Sequence, residues 1–301
     1  MSVCMAQLST LRFRLARVRP SLHHFSAYLQ QVLKILGENE HVLDQLIQDA
    51  TAHYEVGQGS QADVLQAQVE RTKIIREITA ANQQTGDTEA DLKALLHRDQ
   101  DSPDIVAEAL RENPLQDTSD QLQDRVRKQN PQIQMDASSV RAENAALASA
   151  KRDGKPDFGF SYMWQQNDRK YPYYYMFTFN LRLPRRARVR AEVKEAAEKL
   201  ALSRDTLVAH LEEQLAQVRR GYVEVKSDEE LLTEYQQGLI PQSDAAYRST
   251  LNSYASNRDV LTHVLLYFVN FLNMKLDEAQ VLADHETTLA HLETLTGATL
   301  R

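Results

Sequence analysis

A proline-free run with a single glycine, Gly221, extends from residue 185 to residue 237. As one helix it is about 80 Å long, because each residue adds 1.5 Å. Its apolar positions step 4-3-4-3-4, then by two more fours, and then 3-4-3, which is a heptad seam with a stutter that relaxes left-handed supercoiling. A lone helix of this length cannot bury such a seam, so the sequence predicts paired antiparallel helices. The seam comprises Val189, Val193, Ala196, Leu200, Ser203, Leu207, Leu211, Leu215, Val218, Tyr222 and Val225.

The rest of the chain also predicts mainly helix, since Gly (9 residues) and Pro (8 residues) are scarce. Gly57 and Gly59 indicate a turn within residues 54–63, and a second turn is expected at 253–259. Gly238 and Pro241 predict a kink or an interruption. Apolar residues at three- and four-residue steps predict helices at 21–52, 64–84, 89–96, 132–152 and 260–295. Residues 97–130 are expected to form an irregular connector with a short helix at 104–111.

The one β signal is the stretch 155–184, where apolar and polar residues alternate twice on either side of a polar turn. Each run has about the 9–11 residues that a tilted strand needs to cross a bilayer. An apolar face backed by polar or small residues is typical of a transmembrane β-barrel, although a soluble hairpin packed on a core has the same pattern. The candidate membrane-facing residues are Phe158, Phe160, Tyr162 and Trp164 on the first strand and Tyr173, Tyr175, Phe177 and Phe179 on the second.

Composition excludes several classes of function. The net charge of −7 argues against a nucleic-acid-binding protein, which usually carries a basic face. Cys4 is the only cysteine, so neither an intrachain disulfide nor a cysteine metal cluster is expected. We find no nucleophile–base set, phosphate loop or cofactor fingerprint and therefore expect no enzyme activity and no cofactor. Residues 1–20 are uninformative and show no signal peptide, and no transmembrane helix is expected.

An internal repeat relates the two predicted turns. Tyr54, Gly57 and Val64-Leu65 match Tyr254, Asn257 and Val264-Leu265 at an offset of 200 positions. The offset also pairs Ala90 with Ala290, Leu92 with Leu292, and Leu95 with Leu295. Two copies of one helix–turn–helix unit are therefore expected. Residues 21–130 would form a partial first repeat and residues 131–301 a second, with its β-hairpin at 156–184 and its helical hairpin at 185–297.

Seven segments carry a resemblance to a known family. They are YEVGQGSQADVLQAQVE, ENPLQD, QNPQIQ, AKRDGKPDFGFSYMW, NLRLPRRARVRAEVKEA, GLIPQSDAAYRSTLNSYASNRD and ADHETTLAHLETLTG. In order and spacing they resemble the TolC-like outer-membrane efflux proteins, in the heavy-metal and multidrug branch, over about residues 25–297. The resemblance implies a mainly α fold of long antiparallel coiled-coil hairpins, with a β-hairpin that contributes to an outer-membrane β-barrel.

The resemblance also implies partners and a location. It implies a homotrimer in the outer membrane and periplasm, joined to a periplasmic adaptor and an inner-membrane pump, that lets solutes or metal ions exit passively. The family's adaptor-docking tips correspond here to Tyr54, Gly57, Asp63, Val64, Leu65, Tyr254, Asn257, Val264 and Leu265.

Three features depart from the family pattern. Asn257 replaces the tip glycine of the second repeat, although asparagine tolerates the left-handed backbone conformation. His263 and Leu266 stand where some members carry an acidic, cation-selective ring, and Asp63 is the one candidate acid. No counterpart of the β-hairpin precedes the first repeat, so three chains would supply about six strands instead of twelve, too few for a wide barrel. A truncated or degenerate member is thus an alternative, as is a soluble coiled-coil scaffold, while an adaptor is a weaker one.

Several polar groups have both a plain and a functional interpretation. The histidines are expected to lie on the surface rather than to bind metal: His23, His24, His263, His285 and His291. The acidic run Asp228, Glu229 and Glu230 is expected to be a solvated face, with pump docking as the alternative. Five arginines cluster at the end of the second strand and just after it: Arg182, Arg185, Arg186, Arg188 and Arg190. They are expected to be solvated charges at the start of a helix, and the alternative is that they contact the polar membrane boundary or line the tunnel entrance.

Overall fold

The structure is a computed structural model that describes the backbone of residues 2–165 and 174–300 and the side chains of residues 22–165 and 175–300. It is mainly helical, with one antiparallel pair of strands in the described part, so the predicted mainly α class is confirmed. The helices are α1 Ser2–Glu55, α2 Gln61–Leu95, α3 Ser119–Gln129, α4 Pro131–Arg152, α5 Arg186–Glu234, α6 Ile240–Ala255 and α7 Leu261–Thr296. The strands are β1 Asp157–Gln165 and β2 Tyr174–Arg182.

Helix α5 confirms the longest predicted element. Leu200, Leu215, Val218 and Val225 are buried, and the remaining seam positions are all at least partly buried. The residues between them, such as Leu202, face solvent. The heptad pattern therefore identified the packed face of this helix correctly.

The interruption expected at Gly238 and Pro241 takes the form of a single π-helical turn, Tyr235–Leu239, between α5 and α6. Pro241 has no backbone N–H and cannot make the usual i→i−4 bond. A wider turn absorbs the missing bond without ending the helix, which is a common role of π-bulges. The chain therefore passes from α5 into α6 without a loop.

Two other helices, α1 and α2, are longer than predicted. Helix α1 begins at Ser2 rather than near residue 21. Helix α2 continues through Gly86, where the sequence suggested two shorter helices. An internal glycine costs only about 1 kcal/mol, and the buried residues Ala81 and Leu92 on either side of Gly86 hold the helix together.

The short helix predicted at 104–111 is absent, and side chains of α2, α5 and α7 instead hold the extended connector at residues 105, 113 and 115. Glu89 accepts from Ile105 N at 3.2 Å, and Glu286 accepts from Asn113 N at 3.1 Å. The connector instead contains α3, whose first turn carries a sequence signal that we overlooked. Gln121 N donates to Thr118 Oγ1 at 3.4 Å, and Gln121 Oε1 accepts from Thr118 N at 2.9 Å, a capping box.

The chain divides into two compact units. In the first, Met1–Gln123 with Gln217–Arg301, α1 packs on α2 and α7, and α6 packs on α7. Among the described residues the largest fully buried side chain of this core is Phe268, which lies edge-on to Tyr247 with ring centroids 5.6 Å apart. Gly221 allows a close approach to α7, since a Cβ there would lie 2.9 Å from Leu292 Cδ2.

The second unit, Asp124–Ala216, contains α4, the two strands and the start of α5. Asn130 caps α4 by accepting from Gln132 N and Ile133 N, and Pro131 takes the first helical position as predicted. His210 Nδ1 lies 2.7 Å from Asp136 Oδ2 and joins α5 to α4. Among the described residues, no helix is both long and apolar enough to cross a membrane.

Candidate functional site

The predicted turn near Gly57 closes the hairpin between α1 and α2. Gly57 N donates to Tyr54 O at 3.0 Å, and Gln58 N donates to His53 O at 2.8 Å. Gly57 has φ = +74°, a conformation that glycine adopts without the steric cost of a Cβ. The glycine is thus explained by the backbone of the turn.

The turn between α6 and α7 repeats this geometry 200 residues later. Asn257 N donates to Tyr254 O at 2.9 Å, and Arg258 N donates to Ser253 O at 2.9 Å. Asn257 has φ = +53° and takes the place of Gly57. The following helices also begin alike, since Ser60 and Val260 have φ of −104° and −101°. The expectation that asparagine would preserve the turn is confirmed.

The two turns lie side by side. Asn257 Nδ2 donates to Gln58 Oε1 at 3.1 Å, and the ring of His53 stacks on Tyr254 with centroids 4.8 Å apart. Burial, together with the nearby carboxylates Asp63 and Asp49, raises the pKa of Tyr254. The structure therefore unites the two predicted tips into one surface, which we call the paired tip.

Matched residues of the two copies differ in exposure. Tyr54 is 47% exposed, whereas Tyr254 is 8% exposed. Leu65 is 52% exposed, whereas Leu265 is 2% exposed. Val264 is fully buried and its counterpart, Val64, only partly. At these three matched positions the first copy thus has the more accessible side chain and the second copy has the buried one.

An acidic residue lies at the start of each downstream helix, but only the one in the first copy forms a side-chain cap. Asp63 Oδ2 accepts from Ser60 N at 3.0 Å while Ser60 Oγ accepts from Asp63 N, so Asp63 completes a capping box. In the second turn, Asp259 Oδ1 accepts from Val260 N at 2.8 Å and lies 2.7 Å from His263 Nδ1. These hydrogen bonds, first that from Val260 and then that from His263, lower the pKa of Asp259.

Sequence reasoning missed part of this surface. His53 and Gln58 join the two turns, and exposed Val56, Val260 and Leu266 add apolar area. Apolar residues at the ends of helices, outside the buried heptad positions, are the signal that identifies them.

The β-hairpin brings the predicted aromatic faces of both strands together. The antiparallel register opposes Tyr162 to Phe177 and Phe160 to Phe179, and directly opposed residues share a face. The rings of Tyr162 and Phe177 lie 4.9 Å apart. Phe158, Phe160, Tyr162, Trp164, Tyr175, Phe177 and Phe179 are all exposed, between 51% and 74%. Tyr173 lies outside the described residues.

A polar cluster holds the connector against α5 and α7. Leu115 N donates to Glu229 Oε1 at 2.7 Å, while Leu115 O accepts from Lys226 Nζ at 2.6 Å. Asn113 donates twice to Glu286, which is 2% exposed. Burial alone raises the pKa of Glu286, but hydrogen bonds from His285 and Asn113 outweigh it, so the pKa is lowered.

This cluster corrects two predictions. The acidic run is not a uniformly solvated face, because Glu229 binds the connector and Asp228 Oδ2 is buried. The surface location predicted for the histidines is wrong for His24 and His285, which are 5% and 0% exposed. Helix packing, which the local sequence does not reveal, buries both residues. Among the described side chains, no group of three or more His, Cys, Asp or Glu residues is placed to hold a metal ion.

Neither protein-family models nor curated proteins match the sequence, but several solved structures share its fold. The outer membrane protein VceC from Vibrio cholerae is 14% identical, with a TM-score of 0.85 over 99% of this chain and 73% of VceC. CusC is 14% identical, with a TM-score of 0.83 over 96% of this chain and 69% of CusC. The outer-membrane channel OprN is 16% identical, with a TM-score of 0.80 over 98% of this chain and 68% of OprN.

The resemblance to TolC-like outer-membrane efflux proteins is therefore confirmed at the level of the fold. Of these similar proteins, OprN is an outer-membrane channel, and the CusC structures concern folding and transmembrane channel formation.

Proposed function

We propose that this chain is a subunit of a homotrimeric outer-membrane channel, the passive exit duct of a tripartite efflux system for solutes or metal ions. The observation that carries the proposal is the exposed aromatic face of the β-hairpin. In addition, the fold of the chain resembles that of the outer membrane protein VceC and the outer-membrane channel OprN over nearly the whole length of the chain. In this function the chain catalyses no reaction and contributes only the walls of a channel through which solutes diffuse.

The energetics of the hairpin support a lipid environment. Phe158, Phe160 and Phe179 are each at least 67% exposed, and fully burying such a side chain contributes about 1.5–3 kcal/mol. Monomeric soluble proteins rarely expose a contiguous apolar patch this large without a binding role. The opposite face includes Ser161, Thr178 and Asn180, which suits the polar interior of a barrel.

The paired tip supports docking of a periplasmic adaptor, which an inner-membrane pump would join. Tyr54, Val56 and Leu65 offer exposed apolar contacts beside rigid, capped helix starts. A pre-organised surface loses little entropy on binding. In the trimer that we propose, these side chains would lie against another protomer or the adaptor.

Insertion of the hairpin can be followed through Trp164, the only tryptophan of the chain. The full chain is reconstituted into phospholipid vesicles, and Trp164 fluorescence is recorded with lipids brominated at known depths. We expect a blue shift and quenching by acyl-chain bromine. Solute efflux from the vesicles and chemical cross-linking then report the open path and the trimer.

A matched pair of variants tests the face of the hairpin. Phe177→Asp places a charge on the aromatic face, and Thr178→Asp places the same charge on the opposite face. A charge on the lipid face is unfavourable near the bilayer midplane, by about 2–4 kcal/mol for arginine or lysine and by less for aspartate, so Phe177→Asp should weaken insertion and Thr178→Asp should not. Equal behaviour of the two variants, or no insertion of the unmodified chain, would favour the soluble scaffold.

A further inference from the structure

Arginines cluster at the open end of the aromatic hairpin, where β2 leads into α5. Five of the nine residues 182–190 are arginine, and none of these nine is acidic. All five are exposed. Arg188 pairs with Glu192 at 2.8 Å, and no ion pair within the described residues involves the other four. We define Arg182, Arg185, Arg186, Arg188 and Arg190 as the arginine collar.

The position of the collar is fixed relative to the aromatic strands. Arg182 ends β2 opposite Asp157, the first residue of β1, so the collar follows the hairpin at its open end. Gly154 packs beside the first turn of α5, since a Cβ there would lie 3.2 Å from Val189 Cγ1. The basic end of α4, with Lys151 and Arg152, therefore lies next to the collar.

Helix stability does not explain the collar. Lys151 and Arg152 lie in the last turn of α4, where a positive charge interacts favourably with the helix dipole. Arg186 and Arg188 lie in the first turn of α5, where a positive charge is unfavourable, and that turn contains no acidic residue. The unfavourable placement indicates an anion supplied from outside the chain.

We propose that the arginine collar binds the phosphate headgroups of anionic glycerophospholipids at the membrane surface beside the hairpin. The inference rests on the proposed function, because it needs the aromatic strands to lie in a bilayer. Strands that enter the hydrocarbon place their ends at headgroup level, where arginine side chains meet phosphates. Guanidinium groups form strong, charge-assisted hydrogen bonds to phosphate, and the helix start attracts the same anion.

The test measures how the full chain partitions between two kinds of vesicle. One kind contains phosphatidylcholine alone, and the other contains phosphatidylcholine mixed with phosphatidylglycerol. We expect stronger binding to the anionic vesicles, by roughly fivefold for each engaged arginine. The preference should disappear near 1 M salt, where the Debye length is about 3 Å.

Variants separate the collar from general charge. Arg185→Gln, Arg186→Gln and Arg188→Gln together should remove most of the anionic preference while leaving binding to phosphatidylcholine unchanged. The matched control is Arg204→Gln, Arg219→Gln and Arg220→Gln, three exposed arginines further along α5 that give the same change in charge. Arg185→Lys, Arg186→Lys and Arg188→Lys together should retain the preference, because lysine keeps the positive charge.

The outcomes distinguish this inference from the function on which it rests. Insertion into both vesicles with equal affinity, or an equal loss in the control triple variant, overturns the collar and leaves the channel proposal standing. Failure of Trp164 to enter either vesicle overturns both. Circular dichroism of each triple variant checks that α5 remains helical.

Discussion

Gly57 and Asn257 occupy the same position in two turns of the same hydrogen-bonding pattern, and both have a positive φ. The side chain of Asn257 then does what a glycine cannot, since its Nδ2 donates to Gln58 Oε1 in the other turn. In the second turn, asparagine is less favourable than glycine for the backbone, but its side chain forms a hydrogen bond that links the two hairpins. This difference makes the turns good places to separate backbone effects from side-chain effects.

Replacing Asn257 by valine should destabilise the protein by about 1–2 kcal/mol, because a β-branched residue is strained in the left-handed region. Asn257→Gly relieves the backbone but loses the bond to Gln58, so we expect a change of under about 1 kcal/mol. Urea unfolding measures both. A valine variant as stable as the glycine variant would contradict the importance of the positive φ.

Equivalent residues of the two copies should respond differently to truncation. Tyr254→Ala and Leu265→Ala remove buried side chains and should each cost about 2–5 kcal/mol. Tyr54→Ala and Leu65→Ala alter exposed positions and should change the free energy of unfolding by less than about 0.5 kcal/mol. Each pair shares residue type and turn position and is its own control.

The same first-copy variants also test docking. If the accessible side of the paired tip binds an adaptor, Tyr54→Ala with Leu65→Ala should weaken adaptor binding while stability is retained. Binding is measured by titration with a periplasmic adaptor from an efflux system. Unchanged affinity in both variants would remove the tip from the docking surface.

Short-range patterns predicted much of this structure. The heptad seam identified the buried face of α5, and the alternation in residues 155–184 identified which aromatic residues share a face. Both signals repeat over many residues, so single exceptions do not obscure them. The offset of 200 aligned Asn257 with Gly57 and so predicted a second turn of the same kind. Such a turn allows few residue types at this position, and asparagine is one of them.

Long-range contacts determined what local patterns missed. Residues 104–111 have a helical composition, yet Glu89 binds the backbone of Ile105, and Glu286 binds Asn113 from 173 positions away. A sign was nevertheless present, since Glu286 lies on the apolar stripe between Leu282 and Leu289. A charge at such a position must have a partner, but the sequence does not say which.

Glu286 should be important for the order of the connector. Glu286→Ala leaves the backbone N–H and the side-chain amide of Asn113 without their acceptor, and a buried donor left without a partner costs about 1–3 kcal/mol. We expect a loss near the lower end of that range, with faster hydrogen exchange at residues 105–115. Asp277→Ala, at an exposed position of the same helix, is the control. Unchanged exchange in the connector would contradict its anchoring by Glu286.

Asp228 should make stability depend on pH in the opposite direction from most carboxylates. Burial raises its pKa from 3.8 to about 6; the nearby His285 lowers it, and Glu224 and Asp284 raise it. Its Oδ2 is buried and has no hydrogen-bond partner among the described residues. The folded state therefore binds the proton of Asp228 more tightly than the unfolded state does. The contribution of this proton to the free energy of unfolding is fully present below about pH 4 and is lost as the pH rises through about 6.

Asp228→Asn keeps the shape of the neutral side chain and removes the titration. After allowance for solvent near this half-buried residue, we expect the variant to be more stable by about 1–2 kcal/mol near pH 8 and unchanged near pH 4. Urea unfolding at both pH values measures the difference, with Glu212→Gln as the control, because Glu212 is exposed on the same helix and does not contribute to the pKa of Asp228. An equal gain at both pH values would mean that the substitution acts through packing and not through the buried charge.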